Sequence, residues 1–122
     1  MVKIAGAEPV LVPTKQEGED RFNLDIPAIE AAVTSNTRAI IICTPNNPTG
    51  VVYSESVLLE LLDLAIRYEL IIVADEIYEK LIYNGQKHFS IASVSEKAKA
   101  HVVTINGFSK SYAMTGWRLG YL

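Results

Sequence analysis

Three short runs of consecutive apolar residues constrain the fold more than anything else in this chain. They are Ala39-Ile40-Ile41-Ile42-Cys43, Leu70-Ile71-Ile72-Val73-Ala74 and Val102-Val103-Thr104-Ile105. They are rich in β-branched residues and show no polar alternation, the pattern of parallel strands covered on both faces. A helical pattern separates the first two: Ser54 stands as an N-cap, and the stretch from Glu55 to Tyr68 places Leu58, Leu61, Leu62 and Ala65 on one stripe. A second helix is expected from Asp25 to Val33, with a capping aspartate, an early proline and apolar residues at 26, 29, 32 and 33. Strands alternating with helices make an α/β layer fold with a mainly parallel sheet and flanking helices.

The remaining segments read more simply. Val10-Leu11-Val12, ended by Pro13, is expected as a short strand, and Thr14 to Asn23 as a polar loop. Pro45 to Gly50 holds two prolines and a glycine and must be a loop. Asp75 to Leu81 opens a turn of helix, Asn84-Gly85 marks a turn, Glu96 to Ala100 ends a short helix, and Leu119 to Leu122 opens a fourth strand. Open α/β sheets bind ligands beyond the carboxyl ends of their strands. Asn47, Asp75 and Lys110 each follow such an end, so one edge of one sheet gathers all three.

Composition narrows the function classes. A chain of 122 residues suffices for one domain with a modest core. Its net charge of -3 argues against a broad nucleic-acid surface, while leaving room for a local anion site. Cys43 is the single cysteine, so no internal disulfide forms; it reads as a buried core thiol in a reducing compartment. His88 and His101 stand apart, at the surface or at element ends, and no metal-ligand cluster is visible. The start of the chain lacks the apolar run of a signal peptide, and no stretch approaches a membrane span, so the cytoplasm is the default location.

Three motifs carry chemistry. Gly107-Phe108-Ser109-Lys110-Ser111-Tyr112-Ala113-Met114-Thr115-Gly116-Trp117-Arg118-Leu119-Gly120 puts one lysine in a small-residue loop with an arginine further on. A lysine can hold an aldehyde cofactor as a Schiff base, and an arginine suits that cofactor's phosphate. The others are Thr44-Pro45-Asn46-Asn47-Pro48-Thr49-Gly50 and Ala74-Asp75-Glu76-Ile77-Tyr78. Taken singly, each has an ordinary reading: a solvated lysine, a surface arginine, a turn of asparagines, an aspartate helix cap, a packed tyrosine. Tyr68 and Tyr83 read as packed aromatics, and Gly116 and Gly120 as sites of close backbone approach.

Together the motifs resemble those of class I/II pyridoxal-phosphate aminotransferases, the fold-type I, aspartate aminotransferase-like group. The resemblance implies that Lys110 forms the Schiff base and then moves a proton at the substrate α-carbon. It implies that Asp75 pairs with the pyridine nitrogen, that Asn47 and Tyr78 bond the ring oxygen, and that Arg118 grips the phosphate. Ser109 is a weaker phosphate ligand; many relatives carry a serine where this chain has Gly107.

The resemblance also implies a partial large domain over residues 1–122, with an N-terminal segment and a C-terminal small domain missing. Such a fragment is expected to be a poor catalyst alone. Its sheet would lack a strand between the 10–12 and 39–43 runs, leaving Val10 to Val12 unpaired or paired differently. The implied function is amino-group transfer between an amino acid, aspartate or several, and a 2-oxo acid, by a homodimer with no nucleic-acid or membrane partner. Another pyridoxal-phosphate reaction, such as a lyase or synthase, and a noncatalytic regulatory domain or remnant are the alternatives.

Overall fold

The computed structural model describes residues 2–16 and 22–122. Part of the expected 14–23 loop, residues 17–21, and Met1 lie outside the described residues. A four-stranded sheet forms from β3 (Ala39–Cys43), β4 (Ile71–Asp75), β5 (Val102–Gly107) and β6 (Gly120–Tyr121), in that spatial order. β3, β4 and β5 are parallel, with Ile42 opposite Ala74 and Ala74 opposite Thr104. β6 returns antiparallel to β5, with Gly120 opposite Gly107. A separate antiparallel pair joins β1 (Lys15–Gln16) to β2 (Phe22–Asn23), where a loop was expected.

The helices α1 (Ile26–Ala31) and α2 (Glu55–Arg67) begin where their caps predict, and α3 (Glu96–His101) begins after Ser95, a cap not anticipated from the sequence. Asp25 Oδ1 accepts from the Ala28 amide at 3.1 Å, Ser54 Oγ from Val57 at 3.4 Å, and Ser95 Oγ from Ala98 at 3.1 Å. The Ser54 bond is long, so Ser54→Ala is expected to cost about 0.5–1 kcal/mol, the lower part of the N-cap range, in urea denaturation. Glu30 ties α1 to the end of α2, accepting from Arg67 Nη1 at 2.7 Å and from the Tyr68 hydroxyl at 2.8 Å. Those bonds hold its carboxyl below the usual carboxylate range. Tyr68 is therefore a half-exposed hydrogen-bond donor, and Tyr83 is largely exposed; neither is the packed aromatic expected.

The core lies on one face of the sheet. Leu58, Leu61, Leu64 and Ala65 of α2 are fully buried with Ile72, Ala74 and Ile91, and Ile42 and Val102 join them. The opposite face carries Ile41, Val103 and Ile105, and Ile41 is 60% exposed. The expectation of strands covered on both faces is thus corrected: among the described residues all three helices that precede β5 pack on or around the α2 side. Val10 to Val12, expected as a short strand, forms none; among the described residues it joins no ladder, which agrees with the expectation that it would be unpaired or paired differently. Pro9 and Pro13 bracket it, and proline has no N–H to give a ladder. Among the described residues no helix is long and apolar enough to cross a membrane.

Candidate functional site at the strand ends

β3 and β4 end side by side, and each hands on to an irregular segment. The Thr44 amide donates to the Asp75 carbonyl at 3.0 Å, and the Glu76 amide to Ile105 at 2.9 Å, so three strand ends are stitched together. The loop after β3 is braced by Asn46, whose Oδ1 accepts from the Thr49 hydroxyl at 2.7 Å, and by the Gly50 amide on the Asn46 carbonyl. That bracing leaves Asn47 projecting, exposed, from a loop of fixed shape.

No helix forms after β4, contrary to expectation. Asp75 Oδ1 accepts from the Ile77 amide at 3.1 Å, and the chain continues through successive turns. Glu79 bonds back to Glu76 and Leu81 to Tyr78. These turns carry the Tyr78 hydroxyl to Asn47, whose Nδ2 donates to it at 3.2 Å across 31 residues.

Lys110 sits in a one-turn helix, α4 (Phe108–Ser111), and not in the loop expected. Its Nζ lies 5.5 Å from the centre of the Tyr78 ring. Asn47, Tyr78 and Lys110 are thus in mutual contact through Tyr78, with half-buried Asp75 at the adjoining strand end. Ser109 is half-buried beside Lys110. Arg118 is exposed, has left-handed backbone (φ 52°), and donates from Nη1 to the Thr115 carbonyl at 3.0 Å; it does not join the other three.

Close approach governs the base of α4. A Cβ on Gly107 would lie 3.0 Å from the Leu119 carbonyl oxygen and 3.0 Å from Ile77 Cδ1. Gly107→Ala is therefore expected to push β6 off β5 and cost about 1–3 kcal/mol, read as a lowered denaturation midpoint. A Cβ on Gly120 would likewise be crowded, 2.9 Å from the Asn106 carbonyl oxygen, whereas one on Gly116 would meet open space, and the close approach expected there is absent. Cys43 is half-buried, not a core thiol; its Sγ donates to the Pro45 carbonyl, and burial, reinforced by the charge of Asp75, pushes its pKa up.

One constellation escaped sequence reasoning. Glu76 is 2% exposed, and its carboxylate accepts from His88 Nε2 at 2.8 Å and from the Ser90 hydroxyl at 2.9 Å. His88 is thus mostly buried and paired, not a lone surface histidine. The period of two along β4 was the available signal: if Asp75 faces one side, Glu76 faces the covered side. Glu79 also comes within 4.8 Å of this pair, a grouping of metal-ligand types that the sequence did not suggest. Glu76, His88 and Ser90 form a hydrogen-bond network in which both Glu76 oxygens have donors, with the Glu79 carboxylate beside it on Lys80.

The residues at the strand ends suit a phosphorylated aldehyde cofactor by their chemistry. They offer an exposed amine, an amide and a phenol able to meet a ring oxygen, and a carboxylate for a protonated ring nitrogen; the Arg118 guanidinium stands apart from them. Ser111 Oγ, one residue past Lys110, is buried without a hydrogen-bond partner among the described residues, a further polar atom with capacity to spare. Two concavities, about 550 Å³ beside Val33, Arg38 and Glu69 and about 390 Å³ beside Tyr53 and Phe89, lie elsewhere. Asn47 and Lys110 are exposed and Asp75 and Tyr78 half-buried, so the cluster forms an open shelf.

Comparison with known proteins agrees with that chemistry. The family model described as aminotransferase class I and II matches residues 1–122. An aspartate aminotransferase from Bacillus sp. (strain YM-2) is 47% identical over 120 residues, which is 98% of this chain and 30% of the relative. An aromatic-amino-acid aminotransferase from Thermococcus litoralis is 50% identical over 99% of this chain and 30% of its own length. The solved structure of N-succinyldiaminopimelate aminotransferase from Mycobacterium tuberculosis superimposes with a TM-score of 0.91 at 38% identity, over 98% of this chain and 30% of that one. The chain therefore spans about 30% of the length of these relatives.

Proposed function

Because the chain belongs to the class I and II aminotransferase family, we propose that it supplies the cofactor-holding shelf of an enzyme that moves an amino group between an amino acid and a 2-oxo acid. In this reading residues 1–122 are part of a pyridoxal-phosphate-binding large domain. The observation that carries it is the meeting of Asn47, Tyr78 and Lys110 at the strand ends, beside Asp75. Pyridoxal phosphate, when bound, supplies the electron-withdrawing ring on which such transfer depends.

Lys110 is the residue that would hold the cofactor's aldehyde through its amine, and that amine, when free, would carry the proton of the substrate α-carbon. Tyr78 accepts from Asn47 and so keeps its own hydroxyl proton to donate, while Asn47 keeps a second N–H; both are assigned to the cofactor's ring oxygen. Asp75 uses Oδ1 on the Ile77 amide and has Oδ2 left to hold the proton of the ring nitrogen. Arg118 spends one N–H on Thr115 and has others for the phosphate, with Ser109 as the lesser ligand. Relatives named for aspartate and for aromatic substrates match this chain about equally, so its residues do not choose between them. We assign the substrate class as aspartate or several amino acids. A homodimer belongs to the same proposal, on the family likeness alone.

The test is to mix the chain with pyridoxal phosphate, reduce with borohydride and map the adduct by mass spectrometry. Selective modification of Lys110, weakened by Asp75→Ala or Arg118→Ala, is expected. Labelling scattered over the other lysines would overturn the assignment of the shelf.

A further inference from the structure

Glu76 is held more fully than any other residue of the turn between β4 and Tyr78. Its amide donates to Ile105, its carbonyl accepts from Glu79, and its two carboxylate oxygens take separate donors from His88 and Ser90. Those donors precede Ile91, which is fully buried in the core, so the carboxylate is tied to the rigid part of the molecule. Removing a buried charged acceptor from such a net leaves its donors unmet, at more cost than an exposed bond.

The placement matters because Glu76 adjoins Asp75 and lies two residues before Tyr78. The Thr44 amide holds the Asp75 carbonyl and the Leu81 amide the Tyr78 carbonyl; between them the chain is tied through Glu76, by its amide on Ile105, its carbonyl under Glu79 and its carboxylate on His88 and Ser90. His88 gives a second indication. Both Glu76 oxygens are acceptors, so the network assigns a proton to Nε2, yet Nδ1 of the same ring is buried without a partner among the described residues. The side-chain hydrogen bond of this ring among the described residues is thus the one to Glu76.

Resting on the reading above, we propose that Glu76, clamped by His88 and Ser90, is the positioning residue for Asp75 and Tyr78: a strut beneath the shelf that touches no cofactor and sets where both groups stand. Three variants of the full 122-residue chain test it. Glu76→Ala removes the strut. Glu76→Gln keeps it, since its amide oxygen can accept from His88 and its NH₂ can donate to Ser90. Ser90→Ala leaves the carboxylate with one donor fewer.

Hydrogen exchange without cofactor is expected to rise about tenfold or more across 75–81 in Glu76→Ala while 55–67 stays protected, and to stay near wild type in Glu76→Gln. With pyridoxal phosphate and borohydride, labelling of Lys110 is expected to fall in Glu76→Ala and to be rescued in Glu76→Gln. Unchanged exchange over 75–81, or unchanged Lys110 labelling in Glu76→Ala, would overturn the strut. Should Glu76→Ala open 55–67 as well, Ser90→Ala decides: loosening confined to 75–81 supports the strut, and none overturns it. Failure of the wild-type chain to label Lys110 would instead strike the cofactor reading, and the exchange result would still judge the anchoring of the turn.

Discussion

Lys110→Ala is expected to reduce the borohydride-stable pyridoxal-phosphate adduct to background while leaving the fold intact. Lys110 is exposed, and its side chain lies over the face of the Tyr78 ring, so its removal opens no cavity. Lys110→Arg sharpens the result. It keeps the positive charge near Tyr78, but a guanidinium stays protonated and forms no Schiff base. Loss of the adduct in both variants, with unchanged thermal unfolding, would assign the chemistry to the amine itself. Persistence of a single-site adduct in Lys110→Arg would place the reactive lysine elsewhere and end the assignment.

Leu61→Ala is expected to cost about 2–5 kcal/mol, the range for emptying a fully packed leucine site. Leu61 has no exposed surface and lies on the stripe of α2 that holds Leu58, Leu64 and Ala65 against the sheet. Small domains are stable by only about 5–15 kcal/mol, so this one change would remove a large share. Leu59, on the outer side of the same helix, is 36% exposed, and Leu59→Ala is expected to cost under about 1 kcal/mol. Urea denaturation of the two variants checks both figures. Equal losses would contradict the face that α2 buries.

The legible part of this chain is the part encoded by neighbours. Ile40 to Ile42, Ile71 to Val73 and Val102 to Ile105 became strands because consecutive β-branched residues suit a pleated surface and little else. Ser54, Asp25 and Ser95 start helices through bonds to amides three residues on. The one expectation about a helix that failed lay over Asp75 to Leu81: Asp75 accepts from the Ile77 amide as a cap would, yet the chain goes on through turns closed by Glu79 on Glu76 and Leu81 on Tyr78. Lys110 was expected in a loop because its neighbours are small, yet the Phe108 amide is held by Leu119 and the Tyr112 amide returns to Phe108, closing a turn of helix.

Sequence alone determined that Asn47, Asp75 and Lys110 would share one edge of a parallel sheet, since each follows a strand and parallel strands end on the same side. It could not say which of them touch. The Asn47–Tyr78 bond, the approach of Lys110 to that ring, and the clamp of His88 and Ser90 on Glu76 join residues up to 32 positions apart. Such contacts depend on the register of strands and the path of turns, and these settle only when the whole core packs. Tertiary structure likewise decided that helices cover one face of the sheet and leave Ile41 and its neighbours exposed. An apolar run reports that burial suits a strand; what lies against each face is set by the elements that pack there.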